Sequence, residues 1–193
     1  FLLLLFLAAC DSQQTSEEES SLDGLGTAGV EITTPFSSSS TTENGGTVST
    51  KVRLKSAPLS PVTITLNSSD TQEGTVSPTV LTFNKDNWDS YVSIIVTGVD
   101  DDIADGSQSY EIQIASVVSE DSKYSALNGQ IDPIKLQNED DEIKAIVLGT
   151  LSGDTTEAGG NATFSVKLAS KPIEAVSIPI ISTDTSEGTV SAV

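Results

Sequence analysis

The 37-residue string TTENGGTVSTKVRLKSAPLSPVTITLNSSDTQEGTVS, starting at Thr41, returns 114 residues later as TTEAGGNATFSVKLASKPIEAVSIPIISTDTSEGTVS, starting at Thr155. The two align without a gap, and about half of the positions are identical. A period of this length is too long for a solenoid unit and fits a whole sandwich domain of about 100 residues. The chain therefore reads as one complete domain over residues 28–143 and a second, truncated repeat over residues 144–193.

Within the repeat the apolar residues recur with a period of two. Val48, Thr50, Val52 and Leu54 alternate with Ser49, Lys51, Arg53 and Lys55, and the second copy places Ala162, Phe164, Val166 and Leu168 on the same face. One face of such a strand is buried and the other wet. The same alternation runs through Val62, Ile64 and Leu66, through Val80 to Phe83, through Val92, Ile94 and Val96, through Tyr110, Ile112 and Ile114, and through Ile134 and Leu136. With residues 29–33 as an opening strand, these are about seven short strands separated by Gly, Pro, Asn, Asp and Ser turns. The expected fold is all-β, an immunoglobulin-like seven-stranded antiparallel β-sandwich.

Composition then narrows the chemistry. Lys and Arg number 9 against 28 Asp and Glu, for a net charge of −19. Phosphate binding needs clustered cations, so a nucleic-acid partner is not expected. The chain has no His, no Met and one Cys, which leaves out Ser-His-Asp relays, thiolate–imidazole pairs and His- or Cys-based zinc sites. No enzyme activity is expected. Carboxylates alone suit a hard cation, calcium or magnesium.

Residues 1–9, FLLLLFLAA, are too short to span a bilayer core of about 30 Å and suit the apolar part of a secretory signal. They run into the single cysteine as Leu7-Ala8-Ala9-Cys10, which resembles a bacterial lipobox. On that likeness Cys10 carries a lipid and anchors the protein to a membrane of the bacterial cell envelope. Residues 10–27 are rich in Ser, Gln, Glu and Gly with little to bury, and read as a disordered tether.

Strand parity places the acids, because consecutive strands of an antiparallel sandwich run alternately up and down. Glu43, Asp70, the run Asp100, Asp101, Asp102 and Asp105, and the run Glu139, Asp140 and Asp141 all fall at one end. Two carboxylates about 5 Å apart repel by about 3 kcal/mol at an effective dielectric near 20. Several such pairs rival a domain's whole stability of about 5–15 kcal/mol. Only Lys144 is near in sequence, and calcium, with six to eight oxygen ligands, meets the need for a counter-charge. Solvated acidic loops are the plain alternative in a chain of this charge. Glu43 and Asp70 recur as Glu157 and Asp184, which favours a site in each copy. An EF-hand does not fit, since in a loop read from Asp101 Ile103 stands at position 3 and Ile112 at position 12.

The ordered set of TTENGG before a strand, a mid-domain Asp70, VTGVDDDIADG opening a strand with Tyr110, and NEDDE at the end of the repeat resembles the Calx-beta domain. The resemblance covers about residues 29–142 once and 145–193 in part. It implies a sandwich that binds calcium at its distal end through Glu43, Asp70, Asp100, Asp101, Asp105, Asp140 and Asp141, with Glu157 and Asp184 as part of a second set. GSQS at residues 106–109 departs from the family pattern, where further acids are expected, so one to three ions are implied. Trp88, alone in a turn, reads as a plug of the sandwich's other end rather than a sugar platform. The expected function is a calcium-stiffened structural or adhesive stalk at the envelope, with a protein or glycan on a facing surface as the partner. A cadherin-like adhesion repeat, or the stalk of a larger surface hydrolase, is the alternative.

Overall fold

The structure, a computed structural model, describes residues 26–33 and 40–191; the apolar leader, Cys10 and the tether as far as residue 25 lie outside the described residues. The alternating runs form strands, in chain order β1 (Val30–Thr33), β2 (Ser40–Thr42), β3 (Thr47–Leu54), β4 (Val62–Ser68), β5 (Gly74–Ser77), β6 (Val80–Phe83), β7 (Val92–Gly98), β8 (Gln108–Val118), a helical turn α1 (Ser122–Ser125) and β9 (Ile134–Glu139). They build two sheets, β1-β3-β7-β5 and β2-β9-β8-β4-β6. Every pair is antiparallel except β2–β9, which is parallel.

Nine strand segments stand where about seven were expected, because two edge runs each divide between the sheets. β1 pairs with β3 in the first sheet and β2 with β9 in the second. Likewise β5 pairs with β7, and two residues later β6 pairs with β4. Switching sheets lets one short run protect the edges of both, and short edges resist pairing with other chains. Neither β2 (Ser-Thr-Thr) nor β5 (Gly-Thr-Val-Ser) carries an apolar alternation long enough to announce itself in sequence.

The inward faces form one core. Val52, Leu54, Val76, Ile94 and Val96 of the first sheet meet Val62, Ile64, Leu66, Leu81, Phe83, Tyr110, Ile112, Ile134 and Leu136 of the second, all buried. A register shift in the β4–β8 pairing between Thr65 and Leu66 is a bulge that lets Val117, one residue out of phase with Ile112, also point inward.

The end opposite the acids is closed by α1. Asp121 caps it, one carboxylate oxygen accepting from Lys123 N at 3.0 Å and the other from Leu59 N at 2.9 Å. Tyr124 is 1% exposed, donates its hydroxyl to Ser56 O at 2.5 Å and meets Ser56 Oγ at 3.0 Å. Trp88 packs against the same core and its carbonyl accepts from Leu54 N at 2.9 Å.

After residue 143 the strands are few. β10 (Ile146–Leu148) pairs with β11 (Val166–Leu168), and no further strand occurs among the described residues to 191. Val176 and Val190 are about half exposed, whereas Val62 and Val76, 114 residues earlier, are buried. In the first copy β4 lies between β6 and β8 and β5 pairs with β7, whereas among the described residues no strand pairs with residues 176–191. Lys171 N donates to Asp102 O at 2.7 Å across the two regions.

Tyr124→Phe removes the hydroxyl that Ser56 uses and keeps the ring in place. An unsatisfied buried carbonyl is costly, so chemical denaturation of this variant is expected to show a loss of about 1–2 kcal/mol.

Candidate metal centre

The parallel β2–β9 pairing aligns Thr42 with Glu139, so the residue after β2 enters beside the acids that follow β9. Glu43 N donates to Glu139 O at 3.0 Å. The chain then turns at once, with Gly45 N and Gly46 N both donating to Thr42 O at 3.1 Å and Gly45 at φ 85°, a left-handed conformation that glycine tolerates best. Glu43 is thereby driven inward and is only 3% exposed. One carboxylate oxygen from each of Glu43, Asp141 and Glu142 lies within 4.8 Å of the others. Oε2 of Glu43 and Oε2 of Glu142 are buried without a hydrogen-bond partner.

The electrostatics follow from that crowding. Burial pushes the Glu43 carboxyl up to about 8, helped by the facing Glu142 carboxyl and by repulsion from Asp140, while the Asp141 N–H pulls the other way. The facing Glu43 carboxyl favours ionised Glu142, but burial, Asp140 and Asp141 outweigh it and hold that carboxyl above its usual range. Two carboxyls this close cannot both ionise freely, and they titrate as a pair. Asp140 is set the other way: N–H groups of Gly106 and Glu142 donate to it and lower it. Among the described residues the ion pairs are Arg53–Glu31 and Lys85–Asp86, and neither neutralises this end.

A second set of acids lies close by. Glu73 is held above the usual carboxylate range by burial, with Asp105, Asp70 and Asp101 adding repulsion and the Asn138 amide opposing it. Asp70 Oδ1 accepts from Gln72 N at 2.9 Å and Asp101 Oδ1 from Ile103 N at 2.5 Å, so each holds its own loop with one oxygen. Asp100 and Asp105 are exposed.

Beneath both sets lies a polar network. Thr41 Oγ1 meets Tyr110 OH at 2.8 Å and donates to Asn138 Oδ1 at 2.9 Å, and Asn138 Nδ2 donates to Val99 O at 2.8 Å and reaches Glu73 Oε2 at 3.5 Å. Thr41 and Asn138 are fully buried.

Of the expected ligands, the structure brings Glu43 and Asp141 together, ties Asp140 beside them, and sets Asp70, Asp101 and Asp105 around Glu73. Glu142 and Glu73 were not expected. The signal for Glu73 is in the repeat, where DTQEGTVS returns as DTSEGTVS with Glu187, and Glu142 ends the NEDDE run. In the second copy Glu157 and Asp184 are exposed and stand in turns that copy the first. Gly160 N donates to Thr156 Oγ1 at 3.1 Å as Gly46 N does to Thr42 Oγ1, and Ser186 N to Asp184 Oδ1 at 3.0 Å as Gln72 N does to Asp70.

No protein-family model matches the chain, and no curated protein matches it at a significant level. Among solved structures, the E. coli chaperone DraB is similar at 9% identity and a TM-score of 0.38, the match covering 76% of this chain and 88% of that one. The YadV chaperone is similar at 13% identity and 0.37, over 76% and 87%, and the C. elegans MSP family member WR4 at 10% and 0.34, over 59% and 97%. Likenesses at these scores assign no role to this chain.

The raised Glu43 carboxyl has a consequence for stability. Between its unfolded value of 4.5 and about 8 in the fold, the native state holds more protons than the unfolded one, so stability is greatest at the acid side of that window and falls as pH rises through it. In chelator, the melting temperature is expected to drop from pH 4.5 to pH 8, as followed by circular dichroism.

Proposed function

We propose that this chain is a calcium-binding, lipid-anchored bacterial envelope protein whose tandem Calx-beta-like sandwiches form a structural or adhesive stalk. The observation that carries the calcium reading is Glu43, a carboxyl 3% exposed with an oxygen that no donor meets, facing Asp141 and Glu142. Buried polar groups are hydrogen-bonded as a rule, and each exception asks for a missing partner. A partner for three convergent carboxylates that make no ion pair among the described residues is a hard metal ion, and a set made only of oxygen donors suits calcium. Glu43, Asp141 and Glu142 would hold it, with Asp140 alongside, and Glu73, Asp70, Asp101 and Asp105 are placed to take further charge. Affinity is expected to be weak, about 10⁻⁵ to 10⁻³ M, as in extracellular modules.

The stalk reading is supported by where these acids stand. Asp141 and Glu142 directly precede the run into β10, and the acidic loop carrying Asp101 and Asp102 accepts the Lys171 hydrogen bond. Ala104 of that loop lines one groove with Ala145, Ile146, Leu168 and Pro172. A cation here draws the end of one unit and the start of the next onto a common centre, which stiffens the junction. The anchor rests on Leu7-Ala8-Ala9-Cys10 in the sequence.

Glu43→Gln tests the assignment. It keeps the shape and removes the buried charge, so at pH 8 the metal-free variant should melt above the metal-free wild type. Millimolar calcium should raise the wild-type melting temperature, magnesium should raise it less, and the variant should lose most of the calcium shift. A full calcium shift in Glu43→Gln contradicts the site.

A further inference from the structure

We propose that Asn138 is a positioning residue for the cation end, and that with Thr41 and Tyr110 it sets the spacing of four acidic segments without touching the ion. This deepens the calcium reading and rests on it. Asn138 is fully buried and uses its whole amide. Its oxygen accepts from Thr41 Oγ1 at 2.9 Å, and its nitrogen donates to Val99 O at 2.8 Å and to Glu73 Oε2 at 3.5 Å. Each partner is the root of a different acidic segment. Thr41 lies two residues before Glu43, Val99 one before Asp100, Asn138 itself two before Asp140, and Glu73 is itself an acid.

The network has no slack. A Cβ on Gly98 would overlap both Asn138 Oδ1 and the carbonyl of Thr42, and one on Gly74 would overlap the Tyr110 ring. Two strands thus carry glycine where they pass the hub, so the backbones of β5 and β7 approach it as closely as packing permits. One layer down β8 and β9 carry Ile112 and Leu136, which are apolar and buried, so burial alone does not require polar groups at this level. A polar network costs more than an apolar layer unless it is fully satisfied, and what it adds is directional geometry. Carboxylates that repel one another need that geometry, because groups one shell out from a metal orient its ligands.

The test is a calorimetric titration of calcium into the full chain, with melting temperatures measured in parallel, for the wild type and four variants. Thr41→Val removes the hydroxyl from Tyr110, Asn138 and the Gln137 carbonyl and should weaken calcium binding by about tenfold or more, while Thr41→Ser, which keeps it, should stay within about twofold of wild type. Tyr110→Phe keeps the ring against Gly74, removes one bond, and should weaken binding by about threefold. Tyr124→Phe, which loses the Ser56 contacts at the far end, should lower the melting temperature and leave the affinity unchanged. If Thr41→Val does not fold, Tyr110→Phe against Tyr124→Phe decides. Variants at Thr41 and Tyr110 that melt lower but bind calcium like wild type overturn the positioning role and leave the calcium reading standing. A wild type that binds no calcium overturns that reading, and the inference with it.

Discussion

A carboxylate withdrawn from water must be neutralised, and the acidic end of this sandwich is organised around one that is not. Glu43 is carried inward by the parallel pairing of β2 with β9 and the turn at Thr42–Gly46, and it meets Asp141 and Glu142 rather than a cation. Metal-free, the cluster has one internal remedy, which is to keep a proton on the Glu43–Glu142 pair. That remedy weakens as pH rises and costs stability as it does. A divalent ion, as proposed, is the other remedy.

The two ends of the sandwich make an instructive contrast. Both are closed by a buried tyrosine hydroxyl, Tyr124 against Ser56 and Tyr110 against Thr41. At the Tyr124 end the bond completes a capped helical turn and the core stops there. At the Tyr110 end the bond continues through Asn138 into Val99 and Glu73, linking strands of both sheets to the loops that carry charge. The same local device therefore seals one end and organises the other.

The β-sandwich was legible because its strands alternate, and every run of three or more inward apolar residues between Val48 and Leu136 became a strand. β2 and β5 were not legible: they are short, polar or glycine-led, and exist because β9 and β7 offer them edges. The turns were fully local, as the second copy shows. Thr156–Gly160 and Ser182–Gly188 repeat several of the hydrogen bonds of Thr42–Gly46 and Ser68–Gly74, yet residues 176–182 form no strand where Val62–Ser68 does, since a strand needs neighbours and a turn does not. At the site, parity correctly brought the acids to one end but could not say which of them share a centre. Asp141 and Glu142 lie beyond the end of β9, and the register of β2 brings Glu43 beside them. Asn138 gave no signal, because its importance lies in partners 39 to 97 residues away.

The central claim is that an oxygen-ligated cation completes the Glu43 cluster. A crystal structure of the chain grown in calcium tests it most directly. The account predicts an ion bound to Glu43 Oε2 and to carboxylate oxygens of Asp141 and Glu142 at about 2.3–2.6 Å. A structure at millimolar calcium in which those oxygens instead share a proton, with only water near them, would contradict it.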